Sequence, residues 1–163
     1  MRQIYTGDGK GKTTAAVGLS IRAYGAGKRV AFFQFMKALK SHEVDVMERL
    51  GIYVDREWDG KFIRKSPTPL QIKMVKNQYK RAREAVKNGY DLVVLDEIIV
   101  AAYFKVLMED EILFIMEEAK CELVLTGRGA TQKMIERAEL VTYMKKIKHY
   151  FDEGVKAREG FEF

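Results

Sequence analysis

Residues Gly7-Asp8-Gly9-Lys10-Gly11-Lys12-Thr13 put three glycines, two lysines and a hydroxyl into one short stretch of chain. Glycine lets successive backbone N–H groups converge on one anion, and a helix opening at Lys12 adds the positive end of its dipole. Phosphate is the anion that such a loop holds with little side-chain bulk. Lys12 supplies a mobile cation, and the Thr13 hydroxyl can bind a magnesium ion that bridges phosphate oxygens. The standard spacing, G-x-x-x-x-G-K-[ST], would place glycine at position 6, where this chain has Thr6. Downstream, Asp96 and Glu97 close the apolar run Leu92-Val93-Val94-Leu95. They are candidates to hold the metal, one directly or through water and the other at the reacting end of the site. Acids there would equally complement the dipole of a following helix. Arg128 follows another apolar run and can reach the same crevice to pair with phosphate.

Other side chains carry less. Trp58 and Phe62 stand in a polar stretch, where they either lie against a flat ligand or cover the core. His42 and His149 have no partner at metal-ligand spacing and read as structural or exposed. Cys121 is the only cysteine, so no internal disulfide can form, and its apolar surroundings mark it as a small buried residue.

Elements that would position these groups follow from pattern and punctuation. A short strand at Gln3 to Thr6 leads into the glycine-rich loop and a helix from Lys12 to Tyr24, stopped by Gly25-Ala26-Gly27. Arg29 to Phe35 is a buried-type strand, followed by a short helix at Glu43 to Leu50 and a long loop at Asp55 to Pro69. Thr68-Pro69-Leu70-Gln71 predicts a helix start with a capping box, and Asn88-Gly89 the end of that helix. Asp91 to Asp96 has the form of a central parallel strand that delivers its acids to the C-terminal edge of a sheet. Two helical segments fill Ile98 to Lys120, Glu122 to Thr126 is a strand, Thr131 to Ala138 a helix and Leu140 to Met144 a strand. Alternation of strands and helices predicts an α/β fold with a mostly parallel sheet, right-handed crossovers and helices on both faces.

A chain of 163 residues with 47% apolar residues suits one domain over 1–163. No charged segment followed by an apolar one precedes the first strand, and no run approaches the ~20 apolar residues of a membrane span. A soluble, cytoplasmic protein is the expectation. The net charge of +6 raises nucleic-acid binding as a possibility. Many of the cations, Lys73, Lys76, Lys80, Arg81, Arg83 and Lys87, share one predicted helix with the apolar stripe Ile72, Val75, Tyr79, Ala82 and Val86. A solvated helix face explains them, and nucleic acid is not expected as a partner.

Four separated motifs, in order, resemble the ATP:corrinoid adenosyltransferases of the cob(I)yrinic acid a,c-diamide adenosyltransferase family. They are Tyr5 to Ala16, Phe33-Gln34-Phe35-Met36-Lys37, Leu92 to Glu97, and Leu125-Thr126-Gly127-Arg128-Gly129-Ala130; the ending from Ile147 to Phe163 is similar as well. The missing first glycine of the loop is shared by that family. The resemblance implies a RecA-like P-loop fold, a homodimer, and attack by cobalt(I) of a corrinoid on the 5′ carbon of ATP, with triphosphate leaving. It further implies that Gly7, Asp8, Gly9, Lys10, Gly11, Lys12, Thr13 and Thr14 hold the triphosphate, in reverse orientation relative to kinases. Thr13 and Glu97, with Asp96 beside them, would hold Mg2+ or Mn2+; Lys12, Glu97 and Arg128 would act on the reaction; a reducing flavoprotein is a possible partner. Two departures stand out. Some members carry an N-terminal segment over the corrinoid, whereas this sequence starts a few residues before the loop. Some use a Phe-x-Trp pair to exclude the corrinoid's lower axial ligand, and here the stretch reads Gly60-Lys61-Phe62-Ile63-Arg64, which leaves Phe62 to face the corrinoid without the tryptophan. The competing readings are a P-loop phosphotransferase such as a nucleoside kinase, and an ATP-binding module that docks nucleic acid.

Overall fold

The computed structural model describes residues 1–38, 41–63 and 66–162, so Arg64 of the aromatic stretch and Phe163 of the final motif lie outside the described residues. The chain begins with strand β1 (Arg2–Thr6), the glycine-rich loop and helix α1 (Lys12–Gly25). Strand β2 (Val30–Gln34), helix α2 (His42–Leu50) and strand β3 (Tyr53–Asp55) follow. Helix α3 (Pro69–Lys87) starts where the capping box predicts: Gln71 N donates to Thr68 Oγ1 (3.2 Å) and Thr68 N to Gln71 Oε1 (3.0 Å). Strand β4 (Leu92–Asp96) then leads through helices α4 (Ile98–Tyr103) and α5 (Glu109–Glu118) to strand β5 (Glu122–Thr126). Helix α6 (Gln132–Glu136), strand β6 (Leu140–Tyr143) and a 3₁₀ turn at Tyr150–Glu153 complete the described elements.

The sheet runs β3-β2-β4-β5-β1-β6 with every pairing parallel. Side chains of a strand alternate between faces, and the two hydrophobic clusters sort accordingly. Ala31, Phe33, Val93, Leu95, Leu123 and Leu125 pack with α3, α4 and α5 on one face. Val30, Phe32, Leu92, Val94 and Val124 pack with Ala16 of α1 and Met47 of α2 on the other. Strands covered on both sides can be apolar at consecutive positions, which is why Val30–Gln34 and Leu92–Asp96 are buried throughout.

Four details differ from expectation. Strand β3 covers Tyr53 and Val54, to which the sequence assigned no element, and Asp55, where it began the loop; three residues are too few to display a strand period, and pairing to Ala31, Phe32 and Phe33 creates the element. Helix α6 is shorter than Thr131 to Ala138. Cys121 is half-buried, not fully enclosed, and burial pushes its thiol up to about 11. On α3, several cations are paired and not simply solvated: Lys76 with Glu111 (2.5 Å), Arg81 with Asp55 (2.5 Å) and Glu57, Arg83 with Glu118 (2.7 Å), Lys87 with Glu84 (2.8 Å). Partners this close cancel much of the field that a polyanion would feel. Among the described residues no helix is long and apolar enough to cross a membrane.

Candidate active site

The loop between β1 and α1 is shaped by close approach. Gly7 has φ +110°, and a Cβ there would lie 2.4 Å from the Met144 carbonyl oxygen; one on Gly9 would lie 2.7 Å from the same atom. Gly9 N donates to Met144 O (2.7 Å), and Met144 N to Thr6 O (2.8 Å). Two of the glycines are thus required by the chain that leaves β6, as well as by any phosphate. Thr6 replaces the standard glycine at no conformational cost because it ends β1 with extended backbone, buried, its hydroxyl accepting from Ala130 N (3.3 Å). Left-handed backbone begins only at Gly7. Gly11 caps α1 with φ 117° and no side-chain hydrogen bond, so the first-turn amides face the cleft.

Lys12 is almost buried and donates to the carbonyls of Gly7 (2.9 Å) and Gly9 (2.7 Å). Burial lowers its pKa, and the charge of Glu97 works against that shift. Lys10 turns toward the C-terminal segment: its Nζ donates to Tyr150 OH (2.8 Å), Phe161 O (2.8 Å) and Glu162 Oε1 (2.7 Å). The Asp8 carboxylate accepts from Lys146 N (3.1 Å), the main cause of its lowered pKa.

Strand order decides how the acids meet the loop. β5 lies between β4 and β1, so Thr126 at its end stands beside the acids, and Thr13 joins them to the start of α1. Thr126 Oγ1 donates to Asp96 Oδ1 (2.6 Å) and accepts from Glu97 N (2.9 Å), while Thr13 Oγ1 donates to Asp96 Oδ1 (2.9 Å). Asp96 is fully buried; burial raises its pKa, and the Thr126 hydrogen bond, the Lys37 charge, Thr13 and the nearby Gln34 amide pull the other way. Its Oδ2 accepts no hydrogen bond from a described residue. Glu97 adopts φ 62°, a strained conformation for a non-glycine residue, at the start of α4. Burial and then the Asp96 charge raise its pKa, opposed by Lys37, Lys12 and Arg128. Gly127 lets β5 approach α4, since a Cβ there would stand 2.8 Å from Ile99 Cβ. Arg128 follows, exposed at the rim.

These groups line a cleft of about 510 Å³ that contains Gly9 to Thr14, Glu97 and Arg128. Gly7, Asp8 and Asp96 are not among its lining residues. A second cleft, of about 360 Å³ and mostly apolar, adjoins it and is lined by Trp58, Phe62, Ile63, Met36, Val100 and Phe104. Phe62 is 71% exposed, so it covers no core, whereas Trp58 packs partly on the main cluster and its Nε1 donates to Lys61 O (2.9 Å). Several lining residues escaped the sequence reading. Lys37 borders both clefts; its place just beyond an apolar strand, like that of Glu97 and Arg128, was the available signal. His42 and His149 both line the first cleft, His42 pairing with Glu159 (3.0 Å) and His149 Nδ1 accepting from Phe151 N (3.1 Å). Nothing in local spacing foretold that Gly160, Phe161 and Glu162 form part of its wall.

The profile of the family described as ATP:corrinoid adenosyltransferase BtuR/CobO/CobP matches residues 1–163. This chain belongs to that family. Among its adenosyltransferase relatives, the corrinoid adenosyltransferase of Escherichia coli K12 is 31% identical over 98% of this chain and 84% of its own length. That of Pseudomonas aeruginosa PAO1 is 34% identical over 98% and 82%, and that of Salmonella typhimurium LT2 29% over 98% and 84%. A crystal structure of the RadB recombinase superposes with a TM-score of 0.52 at 17% identity, over 91% of this chain and 75% of that one. At that identity the likeness concerns the fold, and it agrees with a RecA-like α/β sheet.

Proposed function

We infer that this protein transfers the 5′-deoxyadenosyl group of ATP to cobalt(I) of a corrinoid and releases triphosphate. One observation carries the reading beyond family membership: a polar cleft built on a phosphate loop opens into an apolar, aromatic-lined one, and the two share a wall. A nucleotide and a flat apolar macrocycle can therefore be held side by side. Gly7 to Thr14 would hold the triphosphate as leaving group through backbone N–H groups and Lys12, which stabilises developing negative charge in place of a transferred phosphoryl. Arg128 at the rim would pair with the same phosphates. Phe62, with Trp58 beside it, would face the corrinoid and exclude a lower axial ligand without offering a donor atom. Trp58 comes before Phe62 in sequence, yet it lines the same cleft and would supply the second aromatic that a Phe-x-Trp spacing lacks.

A divalent cation, Mg2+ or Mn2+, fits the oxygen set of Thr13 Oγ1, Asp96 and Glu97, as the buried and undonated Asp96 Oδ2 supports. Bound there, it would neutralise charge on the phosphates. Such a site relies on one or two carboxylates with substrate oxygens, consistent with the absence of a cluster of three or more acidic, His or Cys ligands among the described residues. Cytoplasmic location, a reducing flavoprotein and a homodimer are further parts of the proposal. The exposed edge strand β6, with Leu140, Val141 and Tyr143 outward, supports self-association.

Incubation with ATP, Mg2+ and chemically reduced cobalamin tests the reading. A cobalt–carbon absorption spectrum with stoichiometric triphosphate is expected. ADP as the product would instead indicate a phosphotransferase.

A further inference from the structure

Three described residues line both clefts: Glu97, Glu162 and Lys37. Accepting the adenosyl-transfer reading, the reacting atoms must meet at this shared wall. There the cobalt(I) electron pair forms a bond to C5′, the C5′–O5′ bond breaks, and its electron pair leaves on O5′ of the triphosphate. Negative charge therefore grows on one oxygen at the boundary of the clefts. Glu97 and Glu162 would repel it, and Glu162 is already engaged by Lys10 and Arg158. The other cations are placed differently: Lys12 is tied to the carbonyls of Gly7 and Gly9, and Arg128 borders the nucleotide cleft alone.

Lys37 is half-buried and its charge acts on Asp96 and Glu97, while its Nζ makes no hydrogen bond or ion pair among the described residues. Its backbone is fixed. Pairing of Gln34 with Asp96, and the bond from Phe35 N to Asp96 O (2.9 Å), set the end of β2 beside the end of β4. Met36 then takes a left-handed φ of 54°, and Arg56 Nη2 donates to Lys37 O (3.1 Å). A strained residue directly before a charged one, matched by the strained Glu97 just past the neighbouring strand, is the arrangement expected where a side chain must be aimed. We propose that Lys37 is a catalytic residue, its ammonium placed on the departing O5′ of the triphosphate.

The test is single-turnover adenosylation of cobalt(I) cobalamin, reduced beforehand, at saturating ATP and Mg2+, with ATP affinity measured separately. Lys37→Met keeps the apolar stem and removes the charge; the rate should fall by about 100-fold or more while the ATP Kd stays within about threefold. Lys37→Arg should recover at least a tenth of the wild-type rate. Circular dichroism reports folding, and Lys37→Gln serves as a second neutral variant if Lys37→Met does not fold. A folded neutral variant within threefold of the wild-type rate overturns the assignment. So does a loss matched by an equal rise in ATP Kd or removed by excess Mg2+, and so do equal losses in the Met and Arg variants. If the wild-type protein itself forms no cobalt–carbon bond, adenosyl transfer falls first and this assignment with it.

Discussion

Lys12 and Glu97 carry the two residue-scale predictions. Lys12 is a nearly buried cation whose only described hydrogen bonds run to its own loop, so it contributes position and charge to a bound polyphosphate more than it holds the fold. Lys12→Ala should lower adenosylation by about 100- to 1000-fold, the scale of losing one preorganised donor to developing charge, with little change in melting temperature. A folded Lys12→Ala protein that turns over at the wild-type rate would remove this role. Glu97 is held close to Asp96 in spite of like-charge repulsion, and its strained backbone is fixed by the bond to Thr126. A cation relieves such repulsion. Glu97→Gln should therefore raise the Mg2+ concentration needed for half-maximal rate, by about tenfold; an unchanged Mg2+ titration would reassign Glu97 to the dipole of α4.

At the scale of elements, the segment between β3 and α3 matters most because its aromatics line the apolar cleft while its ends are anchored. Arg81 of α3 holds Asp55 at the start, and the Thr68–Gln71 capping box holds the end. Phe62 projects from this frame with 71% of its surface exposed. Replacing an exposed ring disturbs no packing, so Phe62→Ala should change stability by less than about 0.5 kcal/mol. It should slow turnover that starts from cobalt(II) cobalamin, where excluding an axial ligand eases reduction. With cobalt(I) generated chemically beforehand, the mutant should approach the wild-type rate at unchanged ATP affinity. Equal losses from both oxidation states would show that Phe62 does not act on the cobalt's coordination.

Across the whole molecule, the C-terminal segment reaches back to the first loop. Glu162 accepts from Arg158, Lys10 and Tyr150, and these partners, Arg158 foremost, hold its carboxyl far below the usual carboxylate range. A depressed carboxylate stabilises the folded arrangement above its ordinary pKa of about 4.3, and that contribution is lost only as pH falls through the lowered value. The segment should thus stay docked from pH 5 to 8. Glu162→Gln should loosen it throughout that range, seen as faster hydrogen exchange in peptides covering 150–162, with strands β1, β4 and β5 unchanged and the global midpoint little affected because the pairs are exposed. Exchange in 150–162 that is indifferent to the substitution would mean that other contacts dock the segment.

What could be read along the chain was what short-range physics controls. Glycines at 7, 9 and 11, the buried runs of β2, β4 and β5, the capping box of α3, and the acids and Arg128 just beyond their strands all follow from backbone sterics and burial acting over a few residues. These were enough for the α/β class and for half of the residues that line the first cleft. Tertiary structure alone decided the rest. The order β3-β2-β4-β5-β1-β6 inserts β5 between the loop strand and the acid strand, which sets the Thr126 hydroxyl against both Asp96 and Glu97. It sets Lys37 opposite Glu97, brings Trp58 and Phe62 onto one cleft, and lays Phe161 and Glu162 across the loop at Lys10. These meetings join residues distant in sequence, and they depend on which strands pair and which helices cover them, a choice made by burial over the whole chain.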